Sequence, residues 1–338
     1  MYPMYSILPQ ATLLSTTMPS MNDSMTAPDT DFDANFFGQK RFGTTFSTKE
    51  LLRRGLDWKE AFDCFLELGM NAMRIGAYWS DIEPEHGQFD FAELDELLAK
   101  CEANNIQVVV TLGMKGPRWP EFHIPTWAQV ETDAEDITSD EELCRQCLDY
   151  VEATVRRIQG YKCIIAFQIE NEPLDKAGER RQIVGIDFVA QEANLVRSVD
   201  SGLRPIIITA WCWSFKHDSD VKDALRYCNI LGLDVYSRVR GDDKTGEQRA
   251  STLPKHYKQL ANGKGREARI TEAQAEPWNP SSFDKDDLSS LLSKLQKGEF
   301  DTVFLWGFEK WLDNKLNKDD DDLWKAVKEA AGNHLSRK

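Results

Sequence analysis

The chain has 338 residues, more than one average domain but within the span of a single closed α/β barrel. It is 41% hydrophobic and 29% charged, which suits a sizeable core and excludes disorder of the whole chain. Lys plus Arg number 41 against 56 Asp plus Glu, a net charge of −15, which argues against nucleic acid or an anionic membrane as the main partner.

Residues 1–37 read as a disordered leader and residues 38–338 as one domain. The leader carries five of the eight Met and no Lys or Arg. It has neither the basic n-region of a signal peptide nor the Arg of a transit peptide. From about residue 40, short β-rich apolar runs alternate with amphipathic helical patterns. The runs are Arg41–Phe46, Asn71–Ala77, Ile106–Leu112, Cys163–Ile169, Pro205–Ala210, Ile230–Val235, Ala268–Thr271 and Thr302–Trp306. Helices are predicted over Trp58–Leu68, Phe91–Asn104, Asp140–Gln159, Ala177–Ser201, Asp218–Cys228, Ser251–Ala261, Asp284–Lys297 and Asp320–Ala331. Eight such units in strict alternation predict a parallel (β/α)8 TIM barrel. An open doubly wound sheet is the competing architecture, but the first strand is followed by Ser47-Thr48-Lys49 with no GxGxxG.

In such a barrel the chemistry stands at the C-terminal ends of the strands. Eight of the ten Trp fall in those segments, among them Trp79, Trp119, Trp211, Trp278 and Trp306. Aromatic faces with indole N–H donors suit a ligand that has apolar CH faces and hydroxyl edges, as a sugar ring does. These five Trp, with His123 and Glu276 on the strand 3 and strand 7 loops, are expected to line a carbohydrate cleft. Glu172 follows strand 4 and Glu272 ends strand 7, nearly opposite each other in an eight-strand ring. Two Glu projecting inward from there can approach to ~5 Å, the spacing a retaining glycosidase needs. One must be protonated and the other ionised, and each carboxylate's charge disfavours ionisation of its neighbour.

Asn171-Glu172-Pro173 after strand 4, with Thr271-Glu272 on strand 7, Arg74 on strand 2, Tyr236 after strand 6 and Trp306 on strand 8, resembles clan A of the glycoside hydrolases. The resemblance is strongest to family 5 cellulase-type barrels and their uncharacterised cellulase-like relatives. It implies that Glu172 is the acid/base, that Glu272 is the nucleophile, and that Asn171 binds the 2-hydroxyl of the sugar under attack. Arg74 would keep Glu272 ionised, Tyr236 would donate its OH to Glu272, and Trp306 would form the floor under the sugar. Two departures stand out. Where the family usually has His-x-Tyr, this chain has Asp234-Val235-Tyr236, and the nearest strand 3 histidine, His123, lies some way into the loop.

The expected function is therefore retaining hydrolysis of a β-glycoside. A barrel that binds carbohydrate without cleaving it is the alternative. The loops after strands 7 and 8 are Glu- and Trp-rich rather than Gly-rich, against a phosphate site, and the five His are scattered, against a metal centre. No cofactor and no metal are expected, and a carbohydrate is the expected partner. The seven Cys lack the spacing of a disulfide framework. They read as reduced thiols, which favours a cytoplasmic over a secreted setting.

Overall fold

The computed structural model describes residues 39–129, 133–239, 245–277 and 282–336. Eight strands close into one parallel barrel in sequence order: β1 Arg41–Thr45, β2 Ala72–Gly76, β3 Gln107–Leu112, β4 Ile164–Ile169, β5 Ile206–Trp211, β6 Ile230–Val235, β7 Glu267–Gln274 and β8 Thr302–Trp306. The barrel closes where β1 pairs with β8, Gly43 standing beside Phe304 in the register. On its other side β1 pairs with β2, Gly43 beside Ala72. A Cβ on Gly43 would lie 2.1 Å from the Ala72 carbonyl oxygen, so only glycine lets β1 approach β2 so closely.

The eight strands lie within a few residues of their predicted positions. Eleven α-helices occur among the described residues, and they cover the outside of the barrel. They are α1 Thr48–Arg53, α2 Trp58–Glu67, α3 Trp79–Ile82, α4 Ala92–Ala103, α5 Glu141–Ile158, α6 Ile186–Val199, α7 Asp218–Tyr227, α8 Leu253–Asn262, α9 Lys285–Lys297, α10 Phe308–Asn317 and α11 Asp322–Leu335. Side chains accept the first backbone N–H groups of several helices, as Asp57, Asp140 and Asp284 do for α2, α5 and α9. Two expectations need correction. The helix expected over 177–201 starts only at Ile186, because Ala177 and Gln182 pair as a small bridge before it. The helices α1, α3 and α10, which follow β1, β2 and β8, are additional to the eight predicted.

Inside the barrel, Ala72, Val109, Ala166, Ile207, Ile230 and Phe304 form a compact apolar layer. Period-two alternation then puts Arg74 and Gln168 one step above Ala72 and Ala166, towards the C-terminal mouth. In β7 the alternation breaks. Leu233 pairs with Ile270 but Asp234 pairs with Glu272, so Thr271 is skipped. Ile270 and Ala273 consequently both face the outer core, and Glu272 turns towards the barrel axis. All seven cysteines are free thiols. No helix among the described residues is long and apolar enough to cross a membrane.

Candidate active site

Glu272 is almost fully buried and held at both oxygens. Arg74 Nη1 donates to Oε1 at 2.6 Å and the Tyr236 hydroxyl donates to Oε2 at 2.6 Å. The rest of the Arg74 fork is committed to its neighbours. Nε donates to Gln168 Oε1 at 2.7 Å, Nη1 also reaches Thr45 Oγ1 at 3.1 Å, and Nη2 donates to Asn171 Oδ1. A planar guanidinium that spends its donors on four fixed acceptors has one orientation. Because Asn171 accepts with its carbonyl oxygen, its amide NH2 is left as the donor end. Burial and the charges of Glu272 and Glu172 raise the Tyr236 phenol well above its ordinary range, so it acts as a donor.

Glu172 stands three residues beyond β4 and is partly open to solvent. Glu170 and Glu172 both adopt left-handed backbone, φ 56° and 45°. Such conformations are costly for non-glycine residues and mark a turn fixed by its surroundings. Two contacts fix it here. Glu172 N–H donates to Thr209 Oγ1 at 2.7 Å, and the buried Lys115 ammonium donates to the carbonyls of Glu172 and Asp175 at 2.6 and 2.8 Å. Burial raises the Glu172 carboxyl well above the usual range, and the charges of Asp234, Asp175 and Glu272 push it further the same way. Asp234 is fully buried and accepts from Thr271 Oγ1 at 2.7 Å, so the residue skipped by the β7 bulge serves to hold it.

A second carboxyl pair lies behind the β4 turn. Glu170 and Glu192 are both fully buried and hydrogen-bonded to each other. Glu170 also accepts from the backbone N–H groups of Met114 at 2.8 Å and Lys115 at 2.5 Å. Gly113 leaves the space, since a Cβ there would lie 2.4 Å from the Glu170 carboxyl. Glu170, Glu192 and Cys147 offer atoms within 4.8 Å of one another, a spacing a metal ion could bridge. Their chemistry fits a shared proton better, because both Glu170 oxygens already accept N–H groups and burial keeps the Cys147 thiol and the Glu192 carboxyl protonated.

On the other side of the mouth, Arg118 reaches from the β3 loop to the ends of β7 and β8. Nη1 donates to Glu276 Oε1 at 2.8 Å and Nη2 to Glu309 Oε2. Its guanidinium carbon lies 4.1 Å from the centre of the Trp306 ring, so one face of that ring carries a cation rather than being open to a sugar. Glu309 also accepts from Ser47 N–H at 2.7 Å. Lys115, Glu192 and Glu309 carry no sequence signal of their own. Arg118 lies in a conspicuous loop, Gly116-Pro117-Arg118-Trp119, but its partners are more than 150 residues away.

The other expected lining residues divide. Trp119 is 58% exposed at the rim, and Trp211 stands against Trp213 with ring centroids 4.6 Å apart. Trp79 is not a lining residue: it is fully buried against Tyr150, with its indole N–H donated to Glu83 at 2.8 Å. His123 is likewise buried, its ring centroid 4.3 Å from that of Tyr78, and burial lowers it to about 3, so it is a neutral packing residue. Trp311 also packs inward, donating to the Ala275 carbonyl at 2.5 Å. Part of the tryptophan cluster therefore braces loops instead of facing a ligand. Trp278 lies outside the described residues.

Residues 52–180 match the model of glycoside hydrolase family 42, described as beta-galactosidase. The fold aligns with a GH5_18 protein of Bifidobacterium longum subsp. infantis at a TM-score of 0.70 and 14% identity, over 88% of this chain and 80% of that one. The likeness is to clan A glycoside hydrolases. Within that clan, the chain is 26% identical over 126 residues to beta-galactosidase BgaA of Clostridium cellulovorans, a match covering 34% of this chain and 19% of that protein. The match thus spans about a fifth of that relative's length. The fold also aligns with the beta-galactosidase of Rahnella sp. R3 at a TM-score of 0.67 and 14% identity, over 87% of this chain and 55% of that one. The family 42 match runs from α1 to just beyond the β4 turn and so includes Arg74, Asn171 and Glu172, while Glu272 lies beyond it.

Proposed function

We propose that the chain is a retaining β-glycoside hydrolase in which Glu272 is the nucleophile and Glu172 the acid/base. The carrying observation is the unequal setting of the two carboxyls. Glu272 receives a guanidinium at one oxygen and a phenol at the other, whereas Glu172 has, among the described residues, no cation on its carboxyl and is raised by burial and by neighbouring negative charge. In the first step a Glu272 oxygen attacks the anomeric carbon while the Glu172 proton passes to the departing glycosidic oxygen. In the second, Glu172 takes a proton from water, whose oxygen displaces Glu272 and returns the anomeric configuration to its original side. In this reading the Asn171 amide NH2, whose oxygen is taken by Arg74, would donate to the 2-hydroxyl. The names of the matched relatives make a β-galactoside the first substrate to try.

The test is a panel of aryl β-galactosides, β-glucosides and β-mannosides. Glu272→Ala and Glu172→Ala should each lower kcat/KM by about a thousandfold or more on the substrate that the wild type cleaves. Glu172→Ala should keep a burst of phenolate from dinitrophenyl glycosides, which need little acid assistance to leave. Proton NMR should find the first-formed sugar as the β-anomer. Wild-type rates in both variants, or an α-anomer as first product, would refute the assignment.

A further inference from the structure

We propose that Lys115 is a positioning residue for the acid/base: from the end of β3 its ammonium holds the Glu172 turn through backbone carbonyls and leaves the Glu172 carboxyl able to carry the proton. This rests on the hydrolase reading above and adds how the acid is aimed. Lys115 is 1% exposed, and its ammonium donates to the carbonyls of Glu172 and Asp175 at 2.6 and 2.8 Å. The Phe122 ring lies against it, with its centre 5.8 Å away. Among the described residues no carboxylate pairs with it directly. Burial disfavours the ammonium, and the charges of Glu172, Glu121, Asp175 and Glu170 sustain it from a distance.

The choice of acceptor points to this role. An ammonium on the Glu172 carboxylate would hold it ionised, and an ionised group cannot protonate a leaving oxygen. An ammonium on the Glu172 carbonyl fixes the backbone instead. The same residue is held from the other side, since its N–H donates to Thr209 Oγ1 at 2.7 Å. Both polar atoms of the Glu172 main chain are therefore tied, one to the β3 end and one to β5, at a left-handed φ of 45°. The anchor is itself rigid. Lys115 N–H donates to Glu170 Oε2 at 2.5 Å, Lys115 and Phe122 pair as an antiparallel bridge, and Gly116 N–H donates to the Glu121 carbonyl at 2.9 Å. The ends of β3 and β4 thus brace each other in both directions. The Glu170 carboxyl takes the amides of Met114 and Lys115, and the Lys115 ammonium takes the carbonyls of the turn after β4. A buried cation that packing alone would not favour here sets the place of a proton donor, where a shift of ~1 Å can cost ~100-fold in rate.

The test compares kcat/KM of the full chain for phenyl and dinitrophenyl glycosides of the sugar that the wild type cleaves, because the phenyl group needs a proton to leave and the dinitrophenyl group hardly does. Lys115→Met, unbranched but neutral and without a donor, should lower kcat/KM about a hundredfold for the phenyl glycoside and no more than about threefold for the dinitrophenyl one. Lys115→Gln, which keeps an N–H donor, should show the same selectivity at about a tenfold loss, and it carries the test if the methionine variant does not fold. Equal losses on both glycosides in a folded variant, or no loss on either, would overturn the inference, because a residue that only supports the fold does not distinguish leaving groups. Glu172→Ala, measured alongside, separates the two readings. If it shows the selectivity and the Lys115 variants do not, only the positioning role falls. If it does not, or if the wild type cleaves no glycoside, the acid assignment falls and this inference with it.

Discussion

Asp234 occupies the position where the family 5 pattern has a histidine, and it changes the electrostatics of the pair. A buried carboxyl beside Glu172 and Glu272 opposes any further negative charge. Burial is the largest cause of the raised Glu172 carboxyl, and Asp234 is the next. Asp234→Asn keeps the shape and can still accept from Thr271, but it cannot carry charge. With Glu172 as the proposed acid, loss of its proton sets the alkaline limb of kcat/KM, which should therefore move to lower pH in this variant. A limb that stays in place would show that Asp234 does not tune Glu172. At this scale the amino-acid order reveals what sits next to a strand end and conceals what meets across the barrel. Arg74, Asn171, Tyr236 and Glu272 are legible because each is fixed by its place on or just after a strand. Trp79 and His123 mislead because residue type alone cannot distinguish a loop aromatic that faces a ligand from one that packs under it. The Arg118 clasp depends on three loops distant in sequence, which no local pattern reports.

The strands are legible as elements because a fully buried parallel strand is a short apolar run between turn signals. The bulge in β7 is not, since it depends on the register between two strands rather than on either sequence. It matters because an unbulged β7 would send Glu272 to the face occupied by Ile270 and Ala273. The β4 turn is likewise supported from outside, by the Glu170–Glu192 pair between the end of β4 and α6. Glu192→Gln retains a donor for Glu170 and should cost less than about 1 kcal/mol, whereas Glu192→Leu removes the donor and should cost about 1–3 kcal/mol. Urea denaturation of both variants measures this. Equal stability would mean that the hydrogen bond between the two carboxyls does not support the turn. Glu192→Leu should also lower kcat, because Glu172 follows Glu170 in the same turn.

For the whole molecule, the buried carboxyls set the dependence of stability on pH. Glu170 is raised from 4.5 to about 7, by burial foremost, and Glu172, Glu192, Asp234 and Glu309 are raised for the same first cause. A carboxyl that folding raises binds its proton more tightly in the native state. Its stabilising contribution is complete below its unfolded pKa and is lost as pH rises through the folded one, for Glu170 between 4.5 and about 7. Glu50 and Asp313 are lowered instead, so their contribution is lost only as pH falls below the ordinary carboxylate range. The net charge of −15 at pH 7, with a pI near 4.9, adds self-repulsion that also grows with pH. The raised carboxyls and the self-repulsion both favour mildly acidic conditions, and the lowered pair does not yet oppose them there. The urea midpoint should be higher at about pH 5.5 than at about pH 8, at protein concentrations low enough to avoid precipitation near the pI. A midpoint that is flat or rises towards pH 8 would mean that these buried carboxyls keep their ordinary affinities for protons in the folded barrel.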